Sequence, residues 1–327
     1  MWSRASRVVA IGLLLAACGG SGRSDDAASS GDSGADSGTL DFVVVTHGQS
    51  ADPFWSVVSL GVRDAGRDLG VQVRYQAPGR FSLVEMANMI EAAVASRPDG
   101  IAVSLPDADA LSGVVRHALE QGVPVVSLNA GSAVFDDLGI GAHVGQPEYE
   151  AGRAAGSRMA EAGVRSGLCV NHEVGNLSLD RRCEGFSDAL IEAGGTGRVL
   201  AAELANPADT RERIAGALSR DASLDGLLTL GAAAVSPALS ALAEVGRDVP
   251  FATFDLSTEV LDAIEDGGML FAVDQQPYLQ GYLPVVVLAS MARTGMMPVG
   301  VVRTGPHLVA AADVGGIRGV PQRGLAR

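Results

Sequence analysis

DFVVVTHGQSADPFWSVVSLGVRDAGRDLGVQVRY, residues 41–75, sets two short strand-like runs, Phe42–Thr46 and Val71–Tyr75, around a segment of helical period, Trp55–Leu69. The first run is apolar at consecutive positions, as expected of a strand covered on both faces. A strand, a helix and a second strand in this order imply a right-handed crossover and parallel pairing. The same unit recurs along the chain. Further strands are expected at 100–105, 124–128, 139–144, 167–171, 199–204, 226–230, 250–254 and 269–274, with helices such as 83–96, 108–121, 148–162 and 278–294 between them. Alternation of this kind predicts an α/β fold of doubly wound parallel sheets, whose ligands bind beyond the carboxyl ends of the strands.

About ten strands exceed one compact sheet of this type, so the pattern favours two lobes with a cleft between them. No long linker separates them, which places the crossings inside strand-to-helix turns near Asn129, Gln275 and Thr304. One lobe is then expected to comprise residues 40–129 and 276–304, and the other residues 130–275 and 305–327.

Composition narrows the function. Acidic residues number 38 against 24 basic ones, the net charge is −14, and every basic side chain is arginine. A chain this acidic lacks the basic stripe that binds a phosphate backbone. Without lysine there is neither a Walker A loop nor a Schiff base. There is no G-x-S-x-G elbow, and His47, His117, His143, His172 and His307 have no metal-ligand spacing. His172 and Glu173 are adjacent, and neighbours in an extended strand point opposite ways. Gly139-Ile140-Gly141 with Gly145 has the wrong spacing for a dinucleotide loop. We therefore expect no catalytic residues, no metal and no cofactor.

The N-terminus carries its own signal. Arg4 and Arg7 precede the apolar run Val8–Ala17, which stops at small residues and Cys18. The run is about half of the ~20 residues that cross a bilayer, so residues 1–18 read as a bacterial lipoprotein signal with Cys18 as the lipidated first residue of the mature chain. Residues 19–39 are nearly devoid of large apolar side chains and read as a disordered tether. The expected location is extracytoplasmic, held to the membrane by lipid. Lipidation of Cys18 leaves Cys169 and Cys183, either as a disulfide or as small buried core residues.

The turns after the predicted strands contain 46-THGQSADPFW-55, Pro106-Asp107, Asn129, 171-NHE-173, Gly231, Asp255 and 274-DQQ-276. This set is polar, mostly uncharged or acidic, with one aromatic pair. Carboxylates and amides engage paired hydroxyls, while aromatic faces cover the C–H side of a sugar ring. A small, neutral, polyhydroxylated ligand suits it.

DPFW (52–55), PDADAL (106–111), RRCEGF (181–186), FDLS (254–257) and DQQPYLQGY (274–282) together resemble the ribose- and galactose-type periplasmic binding proteins of type I, over about residues 40–312. The resemblance implies two Rossmann-like lobes joined by a three-segment hinge, no catalysis, and delivery of a sugar or polyol to a membrane permease driven by a separate ATPase. It also implies a monomer. A ligand-binding partner of a membrane sensor uses the same lobes, and a non-sugar small polar ligand is the remaining alternative. A repressor of this fold is disfavoured because the tether stands where its DNA-binding helices would be.

Carried over by position, Asp52 is similar to a polar ligand contact, and Phe54 and Trp55 to the stacking aromatics, unless they merely pack at a helix start. Asp107 matches a carboxylate on ring hydroxyls, yet also suits a helix N-cap. Arg182 matches an arginine reaching into the cleft, with Arg181 as its solvated neighbour. Asp255 matches the second-lobe carboxylate, Gln275 a hinge-side amide, and Asn129 a residue at the first crossing. The pattern departs at Leu230-Gly231-Ala232-Ala233, which offers no side-chain hydrogen bond, and at Thr210, where an aromatic is expected. Asn171 or His172 supplies the compensating polar contact.

Overall fold

The computed structural model describes residues 38–48 and 52–318. Its first half runs β1 (Asp41–Val45), α1 (Pro53–Leu69), β2 (Gln72–Gln76), α2 (Leu83–Ala95), β3 (Gly100–Val103), α3 (Ala108–Glu120), β4 (Val125–Leu128) and β5 (Ala142–Gly145). There follow α4 (Glu148–Glu161), β6 (Ser166–Asn171), α5 (Leu177–Glu192), β7 (Thr196–Ala201), α6 (Pro207–Arg220), β8 (Gly226–Thr229) and α7 (Val235–Val245). The last elements are β9 (Phe251–Phe254), α8 (Thr258–Glu265), β10 (Phe271–Asp274), α9 (Pro277–Thr294), β11 (Gly300–Arg303), β12 (His307–Val309) and α10 (Ala311–Arg318). The lipidation reading at Cys18 and most of the tether lie outside the described residues.

Two six-stranded sheets result, ordered β11-β5-β4-β3-β1-β2 and β12-β10-β9-β8-β6-β7. Every pairing is parallel except β10 with β12. The inner strands are buried throughout, because crossovers place helices on both faces of each sheet. In the first lobe, one face packs on α1 and α9 and the other on α2 and α3. The second lobe repeats this, with α4 and α5 on one face and α6, α7, α8 and α10 on the other.

The ten predicted strands stand within a few residues of their expected places. β11 and β12 were not anticipated, being short, lying after the last long helix, and alternating or largely exposed in burial. The first crossing needs correction. β5 pairs with β4, Ser127 opposite His143, and with β11. Residues 130–145 therefore belong to the first lobe, and the chain crosses at Gln146–Pro147, not at Asn129. An apolar strand reads alike whichever sheet it joins, so its pattern did not reveal the partner. The second crossing follows β10 at Gln275–Gln276, and the third lies at Thr304–Pro306 between β11 and β12.

Two features of the second lobe set the position of Arg182. A side chain at Gly152 would meet the Arg182 carbonyl at 2.1 Å, and one at Gly185 would meet that of Tyr149 at 2.1 Å. These glycines let α4 and α5 approach backbone to backbone. Cys169 on β6 is joined to Cys183 on α5 by a disulfide, which resolves the pairing that the sequence left open.

Candidate binding site in the interlobe cleft

Strand ends from both sheets converge on one cavity. From the first lobe come His47 after β1, Asp52, Phe54 and Trp55 at the start of α1, and Asn129 after β4. The second lobe contributes His172 and Glu173 after β6, Leu179 and Arg182 on α5, Leu230 after β8, and Asp255 after β9; Gln275 lies at the second crossing. The lining encloses about 30 Å³, room for a water or two, because its polar groups bond to one another across it. That space is too small for a six-membered ring. A larger hollow of about 250 Å³ lies between Gly131–Val134 and the starts of α4 and α5. It collects few strand-end groups, so polar convergence favours the smaller cavity.

The aromatic wall is held by edge contacts. Trp55 meets Phe54 at 5.0 Å with planes at 87°, and the His47 ring at 4.8 Å and 77°. Gly48 is required here, since a side chain would strike the Trp55 ring 2.1 Å away. Asp52 caps α1, its Oδ1 accepting from the Phe54 N–H at 3.0 Å, and burial raises its carboxyl. The second oxygen makes no hydrogen bond with a described residue.

Arg182 is the electrostatic centre of the opposite wall, 3% exposed. It donates to Glu148 through Nε at 2.5 Å and Nη2 at 3.1 Å, a two-point pair that fixes the guanidinium plane. It also donates to the Leu230 carbonyl at 3.3 Å and to Gln275 Oε1 at 3.3 Å, and lies over the Phe254 ring at 4.6 Å. Leu230 thus takes part through its backbone, which side-chain chemistry did not reveal. Arg181 points elsewhere, paired with Glu184 at the surface.

Gln275 bridges the two walls. Its Nε2 donates to Asp255 Oδ1 at 2.6 Å, while its Oε1 accepts from Arg182, from Gln280 at 3.1 Å and from Asn129 at 3.4 Å. Gln280 donates also to Thr304 Oγ1 at 3.1 Å, and Gln276 to the Thr304 carbonyl at 2.9 Å, so amides tie the second crossing to the third. Asn129, Asp255 and Gln276 have φ of 58°, 68° and 54°. Asn and Asp tolerate this left-handed region best, because their short side chains bond locally. Burial pushes Asp255 up to about 7, against the opposing pull of Arg182 and Gln275.

Both histidines are neutral near pH 7. Burial first, then the charge of Arg182, holds His47 and His172 down at about 3. The Asn176 amide crosses the lobes, donating to Glu173 at 2.8 Å and meeting His47 Nε2 at 3.3 Å. Asn176 Oδ1 already accepts from the Ser178 N–H, so its nitrogen must face His47, whose Nε2 is therefore the acceptor. The Nδ1–H of His47 then donates to Ser104 Oγ at 2.8 Å.

Eight of the ten predicted residues line this cavity: Asp52, Phe54, Trp55, Asn129, His172, Arg182, Asp255 and Gln275. Asp107 does not line it; it is half-buried and caps α3 through the Ala110 N–H at 3.0 Å. Asn171 turns its amide to Asp180 at 2.7 Å and accepts from the Glu173 N–H at 3.0 Å, so it shapes the turn. Thr210 is buried on α6, donating to the Glu203 carbonyl away from the cavity. His47, Glu173 and Leu179 were missed as site residues. The first two each stand two residues past the end of a strand, and Leu179 shares a helix face with Arg182 at i,i+3. β6 ends at Asn171, so His172 and Glu173 lie in the turn after it, and both line the cavity. Among the described residues no cluster of His, Cys, Asp and Glu is arranged to hold a metal.

Known proteins bear on this geometry. The family model described as periplasmic binding protein domain matches residues 42–295. A carbohydrate transporter from Acidothermus cellulolyticus 11B, crystallised in complex with myo-inositol, is 33% identical, with a TM-score of 0.83 over 88% of this chain and 99% of its own. A periplasmic sugar-binding protein of Legionella pneumophila, 23% identical, has a TM-score of 0.77 over 81% of this chain and 99% of that one, a likeness of fold. The xylose/arabinose-binding protein of Sulfolobus acidocaldarius is 26% identical over 267 residues, 76% of this chain; the chain spans 65% of that relative's length. With the family model covering both lobes and a relative at one-third identity over nearly the whole described chain, the protein belongs to the periplasmic binding protein domain family, in the two-lobed type I form of its sugar-binding members.

Proposed function

We propose that this chain is an extracytoplasmic solute-binding protein of an ABC-type importer, anchored by lipid at Cys18, which takes a sugar or cyclitol into the interlobe cleft and presents it unaltered to a membrane permease. The observation that carries this reading is the convergence of Phe54 and Trp55 from one lobe with Arg182, Asp255 and Gln275 from the other lobe and the hinge. The 33%-identical relative holds myo-inositol, which supports a ring of that size.

The ligand enters with the lobes apart and lies first against the Trp55 wall. Closure then adds Arg182 and Asp255, whose bonds to Gln275 and to each other's neighbours are exchanged for ligand hydroxyls. Binding drives closure only through its greater affinity for the closed form, so the far-lobe groups set the switch. The permease reads the closed rims. The protein acts as a monomer.

A thermal-shift screen of the mature chain against pentoses, hexoses and inositols tests the reading. A ligand present at ~100 times its Kd stabilises the native state by about 2.7 kcal/mol. At least one ring compound should raise the melting temperature in proportion to its concentration, and titration calorimetry should give one site per chain. If no sugar or cyclitol does so, the proposal fails.

A further inference from the structure

The cleft holds more negative charge than a neutral ligand accounts for. Asp52 faces the cavity from the first lobe and Glu173 and Asp255 from the second, against one cation, Arg182. Glu148 already takes Arg182 in a two-point pair at 2.5 and 3.1 Å. His47 and His172 are buried and neutral, so they add no positive charge. Glu173 is engaged by the Asn176 amide. Asp52 and Asp255 are different: each uses Oδ1 within the protein, and among the described residues neither stands in an ion pair.

Closing the lobes brings these two carboxylates onto one small cavity. Burial, and with it the charge of Asp52, raises Asp255, though Arg182 and Gln275 pull the other way. Hydroxyl donors satisfy carboxylate lone pairs but leave like charges facing each other in a site largely closed to water. A cation on the ligand relieves both. His172, 8% exposed, lines the same cavity, and its buried Nδ1 has no hydrogen-bond partner among the described residues. The neutral ring can engage a ligand hydroxyl or ammonium there.

Resting on the sugar- or cyclitol-binding reading, we infer that the preferred ligand is an amino sugar or aminocyclitol whose ammonium group lies between the free oxygens of Asp52 and Asp255. The hydroxyls of the same ring then occupy Arg182, Gln275 and Asn129, and its C–H face lies on Trp55.

Matched pairs differing by one amino group test this by titration calorimetry on the mature chain at pH 7: scyllo-inositol against 1-amino-1-deoxy-scyllo-inositol, and D-glucose against D-glucosamine, with N-acetyl-D-glucosamine as the uncharged control. In at least one pair the amine should bind roughly tenfold tighter or more, the scale of a close charge pair across an interface. Acetylation should abolish that advantage, and Asp52→Asn or Asp255→Asn should shrink the amine-to-hydroxyl ratio. The ratio within a pair is the readout, so a general loss of affinity in a variant does not imitate the effect. If neutral members bind as tightly or tighter in both pairs, the ammonium inference is overturned while the binding-protein reading stands. If no member of either pair binds and no neutral ring binds in the thermal screen, both are overturned.

Discussion

Replacing Arg182 by Met keeps most of the side-chain volume and removes only the guanidinium. Four hydrogen bonds are lost, two to Glu148, one to the Leu230 carbonyl and one to Gln275. Glu148, 4% exposed, is left with the Gln146 amide at 2.9 Å as its remaining partner. Removing one member of a buried pair costs about 3–5 kcal/mol, because the other charge stays desolvated. Glu148→Gln is expected to cost less, roughly 1–3 kcal/mol, since Arg182 keeps its two other acceptors and the attraction of Asp255 and Glu173. Combined, the two substitutions remove both members of the pair, so Glu148 no longer stays behind as a buried charge without its partner, and the double variant should be more stable than the sum of the single losses implies. Urea unfolding of the mature chain measures all three. Of the two tryptophans, Trp2 lies in the predicted signal, so Trp55 fluorescence reports the cleft while circular dichroism reports the whole. A loss below ~1 kcal/mol for Arg182→Met, or strict additivity in the double variant, would refute the claim that this pair is a coupled, desolvated unit.

Trp55→Ala should weaken binding of whichever ring compound the thermal screen identifies by about 1–3 kcal/mol, the transfer value of a large apolar side chain, and unchanged affinity by calorimetry would remove Trp55 from the site. Asp255 binds its proton more tightly when folded, at about 7 against an ordinary 3.8, so the stability it confers is full below about pH 4 and is lost as pH rises through 7. Asp255→Asn should flatten that part of the stability-against-pH curve, and an unaltered slope in urea titrations would contradict the assignment. Breaking the Cys169–Cys183 bridge, 14 residues apart in sequence, by the double Ser variant should cost roughly 3 kcal/mol from the loss of a closed loop in the unfolded chain; a melting temperature indifferent to both reductant and substitution would exclude the bond.

Much was readable from local pattern alone. Consecutive apolar residues in Phe42–Val45 and Ile101–Val103 marked strands buried on both faces, and their alternation with helices implied parallel sheets and hence a site at the strand ends. Asp52, Trp55 and Asp255 followed from that rule and from the resemblance, because the residue types suited to hydroxyl recognition stood at those turns, whereas Arg182, inside α5, followed from the resemblance alone. What local pattern does not contain is the choice of long-range partner. β5 has the same apolar character whether it joins the first sheet or the second, and only its pairing with β4 and β11 placed residues 130–145 in the first lobe. Asp52 and Asp107 are the same residue type at the same kind of helix start, and each caps its helix; the packing of α1 against the cleft exposes one to the cavity, and that of α3 keeps the other away. Glu148 and Arg182 lie 34 residues apart, and their bond exists because Gly152 and Gly185 let two helices touch. Periodicity and residue type act over a few neighbours and so are written in the sequence; which carboxylate meets which cation depends on the joint burial of distant segments, which only the folded chain decides.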